Sequence, residues 1–226
     1  MTRNKLRKGV KALFAYGTLA AQSWCPRNPL AEVAAEKVKT TEPKAYTVAE
    51  TAAIMNAAVA MNSPLVAGLA LGFFSGLRPS ETMAIDLAVI RLDADEFRIP
   101  GTTKTGARIA PLTPACKAWL GTQKRRTGFA CPLNRQEHSV EMRAILTAAK
   151  VAGIYDGARH SFISYRTAET RDVARVADEC GNSVGIIKRH YRELVTTAAA
   201  KEFFAIRPVK RGKSKITNIE SGRKTA

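Results

Sequence analysis

Histidine is scarce in this 226-residue chain, with 3 in all, and the 4 cysteines stand far apart at Cys25, Cys116, Cys131 and Cys180. No Cys-x-x-Cys pair occurs and no histidine cluster lies beside a cysteine. That pattern indicates neither a metal site nor a disulfide framework, and it fits a reducing cytosol. Acidic residues are also few, 19 Asp and Glu against 36 Lys and Arg, which leaves a formal net charge of +17. The basic residues run through the apolar-patterned part of the chain as well as its ends, so the partner this charge implies is a polyanion, nucleic acid rather than membrane. The N-terminal charges are not followed by an apolar signal region, and no run approaches the roughly 18 apolar residues of a membrane span. A soluble, cytoplasmic protein is expected, nucleoid-associated if prokaryotic. What the chain does have is apolar residues at 46%, enough in this length for one good-sized core with appendages.

In chain order, residues 1–24 read as one helix, with Leu6, Val10, Leu13, Phe14, Leu19 and Trp24 on its apolar face. Pro26 and Pro29 break it, and the lysine-rich residues 31–46 read as a linker. Thr47 opens a helix with Glu50 completing a capping box. Leu65 to Phe74 is a nearly continuous apolar run, read as a buried helix that Gly76 closes. Three short segments, Val89–Leu92, Glu96–Ile99 and Arg108–Leu112, have strand character, with Asp93-Ala94-Asp95 and Lys104-Thr105-Gly106 as turns. Helices are expected from Pro114 to about Lys124, Val140 to Ala152, Arg159 to about Glu169, Val173 to Glu179, around Ile186 to Tyr191, and over 196–206. His138 falls in a polar loop, exposed and idle. The basic tail 207–226 has the composition of a disordered segment. The fold class expected is mainly α with a small three-stranded antiparallel β-sheet (α+β).

Three places carry chemistry. The first is Gly76-Leu77-Arg78-Pro79-Ser80-Glu81. An arginine fork gives two hydrogen bonds to phosphate oxygens and stays charged, and an acid one turn later can orient it. The second is Thr103-Lys104-Thr105-Gly106 at a hairpin tip. The third is Asp156-Gly157-Ala158-Arg159-His160-Ser161-Phe162, then Gly181-Asn182, then Arg189-His190-Tyr191. Arg159 and Asn182 are 23 positions apart, and Asn182 and Tyr191 are 9.

These words and spacings resemble the tyrosine recombinase (phage integrase) family, whose fold is that of the DNA breaking-rejoining enzymes. The resemblance implies that Tyr191 is the nucleophile, that Arg78 and Arg159 clamp the phosphate, and that the hairpin Lys104 protonates the leaving 5′ oxygen. It implies no metal, ATP or organic cofactor. It divides the chain into a remnant closing helix of a core-binding domain (1–30), a linker (31–46), a catalytic domain (47–206) and a basic tail (207–226), with most of the N-terminal module missing. Residues 1–30 could equally pack on the one domain. The implied partners are double-stranded DNA and further copies of the chain, dimer to tetramer. In the family the last helix often docks on a neighbouring subunit, and here Phe203, Phe204 and Ile206 could instead be core of their own chain.

Two positions depart from the pattern. Asp156 stands where the family usually has histidine, and Asn182 where it usually has histidine or tryptophan. Asp156 could accept a proton or hold the tyrosine hydroxyl, but an ordinary carboxylate is a weak base for a phenol. Asn182 can hydrogen-bond a phosphate without titrating. His160 and His190 lie next to the motif residues, but adjacent helix positions point about 100° apart, which argues against substitution. The function implied is DNA cleavage and rejoining through a 3′-phosphotyrosyl link, in integration, excision or resolution of a mobile element. The alternatives are a DNA-binding remnant that occupies recombination sites and a topoisomerase-like relaxing enzyme.

Overall fold

A computed structural model describes residues 3–36, 44–101, 106–191 and 195–209. The chain divides into two compact units, residues 1–42 and 43–226.

In the first unit, helix α1 spans Arg3–Gly17 and stops well short of residue 24. Trp24 folds back over the helix end: its N–H donates to Gly17 O at 2.9 Å and its ring meets the Tyr16 ring edge-on at 5.5 Å. The returning chain lies along α1, held by Lys11 Nζ on Ala31 O at 2.7 Å and by a reciprocal pair between Asn4 and Glu36, both bonds 2.8 Å.

In the second unit, α2 (Val48–Ala60) begins at Thr47 with the expected capping box to Glu50. Helix α3 (Val66–Ser75) is buried along its whole length. It packs against α5 (Pro114–Gly121) and α7 (Gly157–Thr170). The approach to α7 is close, since a Cβ on Gly72 would stand 3.1 Å from Ala158 Cβ. Gly76 ends α3 in the left-handed region, φ +73°, and turns the chain into the short α4 (Pro79–Thr82) with proline in its first turn. Helix α6 (Arg135–Ala149) starts earlier than expected, because Asn134 and Glu137 form a capping box. His138 therefore belongs to a helix and is half-buried, and burial pulls its pKa down.

The described residues contain two strands, not three: β1 (Glu96–Ile99) and β2 (Arg108–Pro111), antiparallel with Phe97 opposite Ala110. Of the segment expected as the first strand, Val89–Leu92, the first residue closes a 3₁₀ turn, Leu87–Val89, and the rest is irregular chain and turn. The cause is Asp86, whose carboxylate accepts from Ala88 N and Gly128 N at 2.8 and 2.9 Å and draws the segment away from β1. The hairpin tip with Lys104 lies outside the described residues.

Helices α8 (Val173–Cys180), α9 (Val184–His190) and α10 (Thr197–Ala205) complete the unit. The aromatic side of α10 is core of its own chain: Phe203 stacks on Tyr165 at 4.0 Å and Phe204 meets Phe162 edge-on at 6.0 Å.

Gly76 is one of the two tightest glycines of this packing, with Gly157. A Cβ on Gly76 would lie 2.5 Å from Phe162 Cδ1, in a backbone conformation that L side chains rarely adopt. Gly76→Ala is expected to destabilise the protein by more than about 1 kcal/mol, read as a lowered midpoint in chemical denaturation.

Candidate functional site

The site forms where α4, β2, α7 and the α8–α9 turn converge, around the carboxylate of Glu81, which is 2% exposed. Arg108 on β2 grips it with both ends of its fork, Nη1 to Oε1 and Nη2 to Oε2, each 2.7 Å. The same carboxylate accepts from the Arg78 backbone N–H at 2.8 Å, and its Oε1 lies 3.5 Å from Arg78 Nη1. Arg159 Nη1 stands 3.9 Å from Oε2. Three guanidiniums thus surround one carboxylate, a surplus of positive charge that favours an anion. Burial is the main influence lowering the Arg159 pKa, and Arg78 and Arg108 push the same way while Glu81 and Cys180 oppose them.

Arg159 itself is held by backbone. Its Nη1 donates to Gly76 O at 2.6 Å and its Nη2 to Cys180 O at 2.5 Å, so the caps of two helices fix one guanidinium. Asn182 is placed by the end of α8, where Gly181 takes φ +61° and Asn182 N–H returns to Ala177 O at 2.9 Å. Its Oδ1 then accepts from both Arg78 Nη2 and Arg159 Nη2, each at 3.1 Å. One neutral oxygen therefore bridges the two guanidiniums, in the way a phosphate oxygen would. In Asn182 it is this acceptor, rather than the amide donor, that faces the arginines.

Tyr191 is the residue that closes α9, at φ −125° and ψ −1°, and its ring turns inward to 5% exposure. Its hydroxyl hydrogen-bonds to His160 Nδ1, and the two rings lie 5.6 Å apart at 33°. Burial pushes the phenol up to about 12; Asp156 and Cys180 add to this, and Arg159 and Arg78 work against it. The Cys180 thiol is fully buried and also pushed up to about 12 by burial, which leaves it unreactive.

Asp156 precedes α7 in the left-handed conformation, φ +51°, and makes no side-chain cap bond. Its Oδ1 is buried with no hydrogen-bond partner among the described residues. Strain of this kind in a non-glycine residue collects at functional sites. Beside it runs a surface groove lined by Arg78, Arg135 and Arg143, with Tyr155 94% exposed at its rim. Among the described residues no group of three or more His, Cys, Asp or Glu is placed to hold a metal ion, and no helix is long and apolar enough to cross a membrane.

Of the residues picked out in the sequence, Arg78, Glu81, Arg159, Asn182 and Tyr191 come together, Asp156 lies beside them, and Lys104 lies outside the described residues. Two were missed. Arg108 was read only as part of a strand, and nothing local in the sequence marks it as the partner of Glu81. His160 was weighed as a substitute and set aside because it follows Arg159 directly on a helix, yet it meets the Tyr191 hydroxyl.

The fold is that of recombinases and integrases. The chain is similar to the crystal structure of XerA recombinase, TM-score 0.56 at 14% identity over 90% of this chain and 76% of that one. It is similar to the integrase of mycobacterium phage Brujita, 0.54 at 16%, covering 89% and 76%. It is also similar to a lambda integrase dimer bound to a COC′ core site, 0.60 at 16%, spanning 94% of this chain and 62% of that one. No protein-family model and no curated protein matches the sequence.

Glu81→Gln keeps the shape but removes the charge beneath three guanidiniums. Breaking a buried ion pair from one side costs about 3–5 kcal/mol, and a loss of that size is expected in urea unfolding.

Proposed function

We propose that this chain is a site-specific DNA recombinase of the tyrosine type, which binds double-stranded DNA and cuts and rejoins strands through a 3′-phosphotyrosyl link to Tyr191. The observation that carries the reading is the convergence of a buried tyrosine hydroxyl and two guanidiniums bridged by a single oxygen. Strand cleavage by a tyrosine needs a nucleophile in line with phosphorus and donors for the non-bridging oxygens. Tyr191 is assigned the first role and Arg78 and Arg159 the second. Lys104 is assigned the acid for the leaving 5′ oxygen, by resemblance. Glu81 orients the arginines, Asn182 holds their spacing, and no metal or organic cofactor enters the reaction.

DNA would enter along the groove of Arg78, Arg135 and Arg143, which continues the positive charge outward from the site. The proposed biological setting is integration, excision or resolution of a mobile element, in the cytoplasm, by copies of the chain assembled as a dimer to tetramer on paired sites. The domain division proposed is a segment like the closing helix of a core-binding module (1–30), a linker (31–46), the catalytic domain (47–206) and a basic tail (207–226).

A second reading, a DNA-binding remnant that occupies recombination sites, is favoured by one observation. Asn182 Oδ1 already fills the space between the guanidiniums, and the chain has no histidine at 156 or 182.

Covalent trapping separates the two. The protein and its Tyr191→Phe variant are incubated with supercoiled plasmid carrying the gene's own genomic flanks and stopped with SDS. Protein-linked nicked DNA is expected with the parent and not with the variant; its absence from both, with DNA binding intact, would establish the remnant. Duplex binding by either protein is expected to weaken about a hundredfold or more between about 50 and 200 mM salt, measured by fluorescence anisotropy. Binding indifferent to salt would remove the electrostatic basis of the proposal.

A further inference from the structure

At neutral pH the Tyr191 hydroxyl keeps its proton, since burial pushes its pKa up to about 12. Attack on phosphorus therefore needs a group that takes this proton. Among the described residues of the site, Asn182, Asp156 and His160 are the candidates, since the Cys180 thiol is itself pushed up to about 12 by burial. Asn182 cannot titrate, and its oxygen is committed to Arg78 and Arg159. Asp156 makes no hydrogen bond to the hydroxyl, and its buried Oδ1 has no hydrogen-bond partner among the described residues. His160 is hydrogen-bonded to the hydroxyl through Nδ1.

On the reading that this chain is a tyrosine recombinase, we infer that His160 is the general base of the reaction, standing one residue after Arg159 instead of three residues before it. Nδ1 accepts the phenol proton as Oη attacks. The Oη–P bond forms, the P–O5′ bond breaks, and its electron pair stays on O5′. That oxygen takes a proton from the acid assigned to Lys104, while His160 holds the Tyr191 proton as imidazolium. On rejoining, the 5′ hydroxyl returns its proton to the amine assigned to Lys104 as O5′ attacks phosphorus, the Oη–P bond breaks, and His160 returns its proton to the phenolate.

The position of His160 suits this work. An acceptor Nδ1 fixes the Nε2–H tautomer in the resting site. Among the described residues the charged groups acting on the ring are Asp156, just before α7, and Arg159 on α7; from the end of α9 it meets Tyr191. Burial is the largest influence on its pKa and lowers it, Asp156 raises it, and Arg159 lowers it. The ring is thus neutral, and able to accept, down to a pH below its usual value of about 6.5. Asp156 acts on the reaction through His160, by favouring the imidazolium once the proton has moved.

The test measures the rate of SDS-trapped adduct on the supercoiled plasmid with genomic flanks, from about pH 5 to 8.5, for the full chain and its His160→Ala and His160→Gln variants. Salt-sensitive DNA binding verifies that the variants are folded. The parent rate is expected to hold through the usual histidine value of about 6.5 and to fall only at lower pH. Both variants are expected to lose about a hundredfold or more and to lose that pH dependence. Added imidazole is expected to restore His160→Ala in proportion to its free-base form. His160→Ala at the parent rate with the parent pH profile would overturn the inference while leaving the recombinase reading intact. A slowed variant that keeps the parent profile and ignores imidazole would make His160 a positioning residue and overturn it as well. No adduct from the parent at any pH would overturn both.

Discussion

A single buried carboxylate sets the arrangement on which the rest of the site depends. Glu81 cannot sit at 2% exposure without compensation, and it receives that compensation from guanidiniums on three separate elements. Each arginine in turn is tied to backbone or to a shared acceptor: Arg108 to Glu179 O at 3.1 Å, Arg159 to Gly76 O and Cys180 O, and Arg78 with Arg159 to Asn182. The positions of α4, β2, α7 and α8 are therefore fixed by one polar cluster as well as by the apolar core around α3. Buried networks of this kind are costly when incomplete and specific when complete.

Much of this was legible in the sequence where the determinant is local. The capping box at Thr47, the buried run of α3, the closure at Gly76 and the glycine-asparagine turn after α8 each follow from residues within a few positions of one another. Two failures share the opposite cause. The segment at 89–92 has β-branched and alternating residues, yet Asp86 binds Gly128, 42 positions away, and caps a 3₁₀ turn that takes Val89 and leaves 90–92 outside any strand. Arg108 reads as an ordinary strand cation until the chain brings it to Glu81, 27 positions away. Trp24, similarly, looks like one more residue on an apolar helical face, but it packs back on Gly17.

The reading of His160 shows how a correct rule can mislead. Neighbours on a helix do diverge by about 100°, but a site flanked by two elements is wide enough to meet both directions. Arg159 points toward Gly76 and the α8 cap while His160 points toward α9, and the hydroxyl of Tyr191 meets the second. The departures at Asp156 and Asn182 are likewise not equivalent. Asn182 is fully engaged, whereas Asp156 holds a left-handed backbone and an orphaned buried oxygen.

Tyr46 ties the first residues of the second unit to the helix that carries Arg159 and His160. Its N–H donates to Ser161 Oγ at 2.8 Å, its carbonyl accepts from Tyr165 OH at 3.1 Å, and its own hydroxyl accepts from Ile154 N at 2.8 Å. The ring also fills the space above Gly157, where a Cβ would come within 2.5 Å of it. In mechanical terms this is a clamp at the root of a lever: tension applied to the chain at residues 44–46 is borne by Ile154 just before α7 and by Ser161 and Tyr165 on it. A pull on that segment is thus passed to the helix that carries Arg159 and His160.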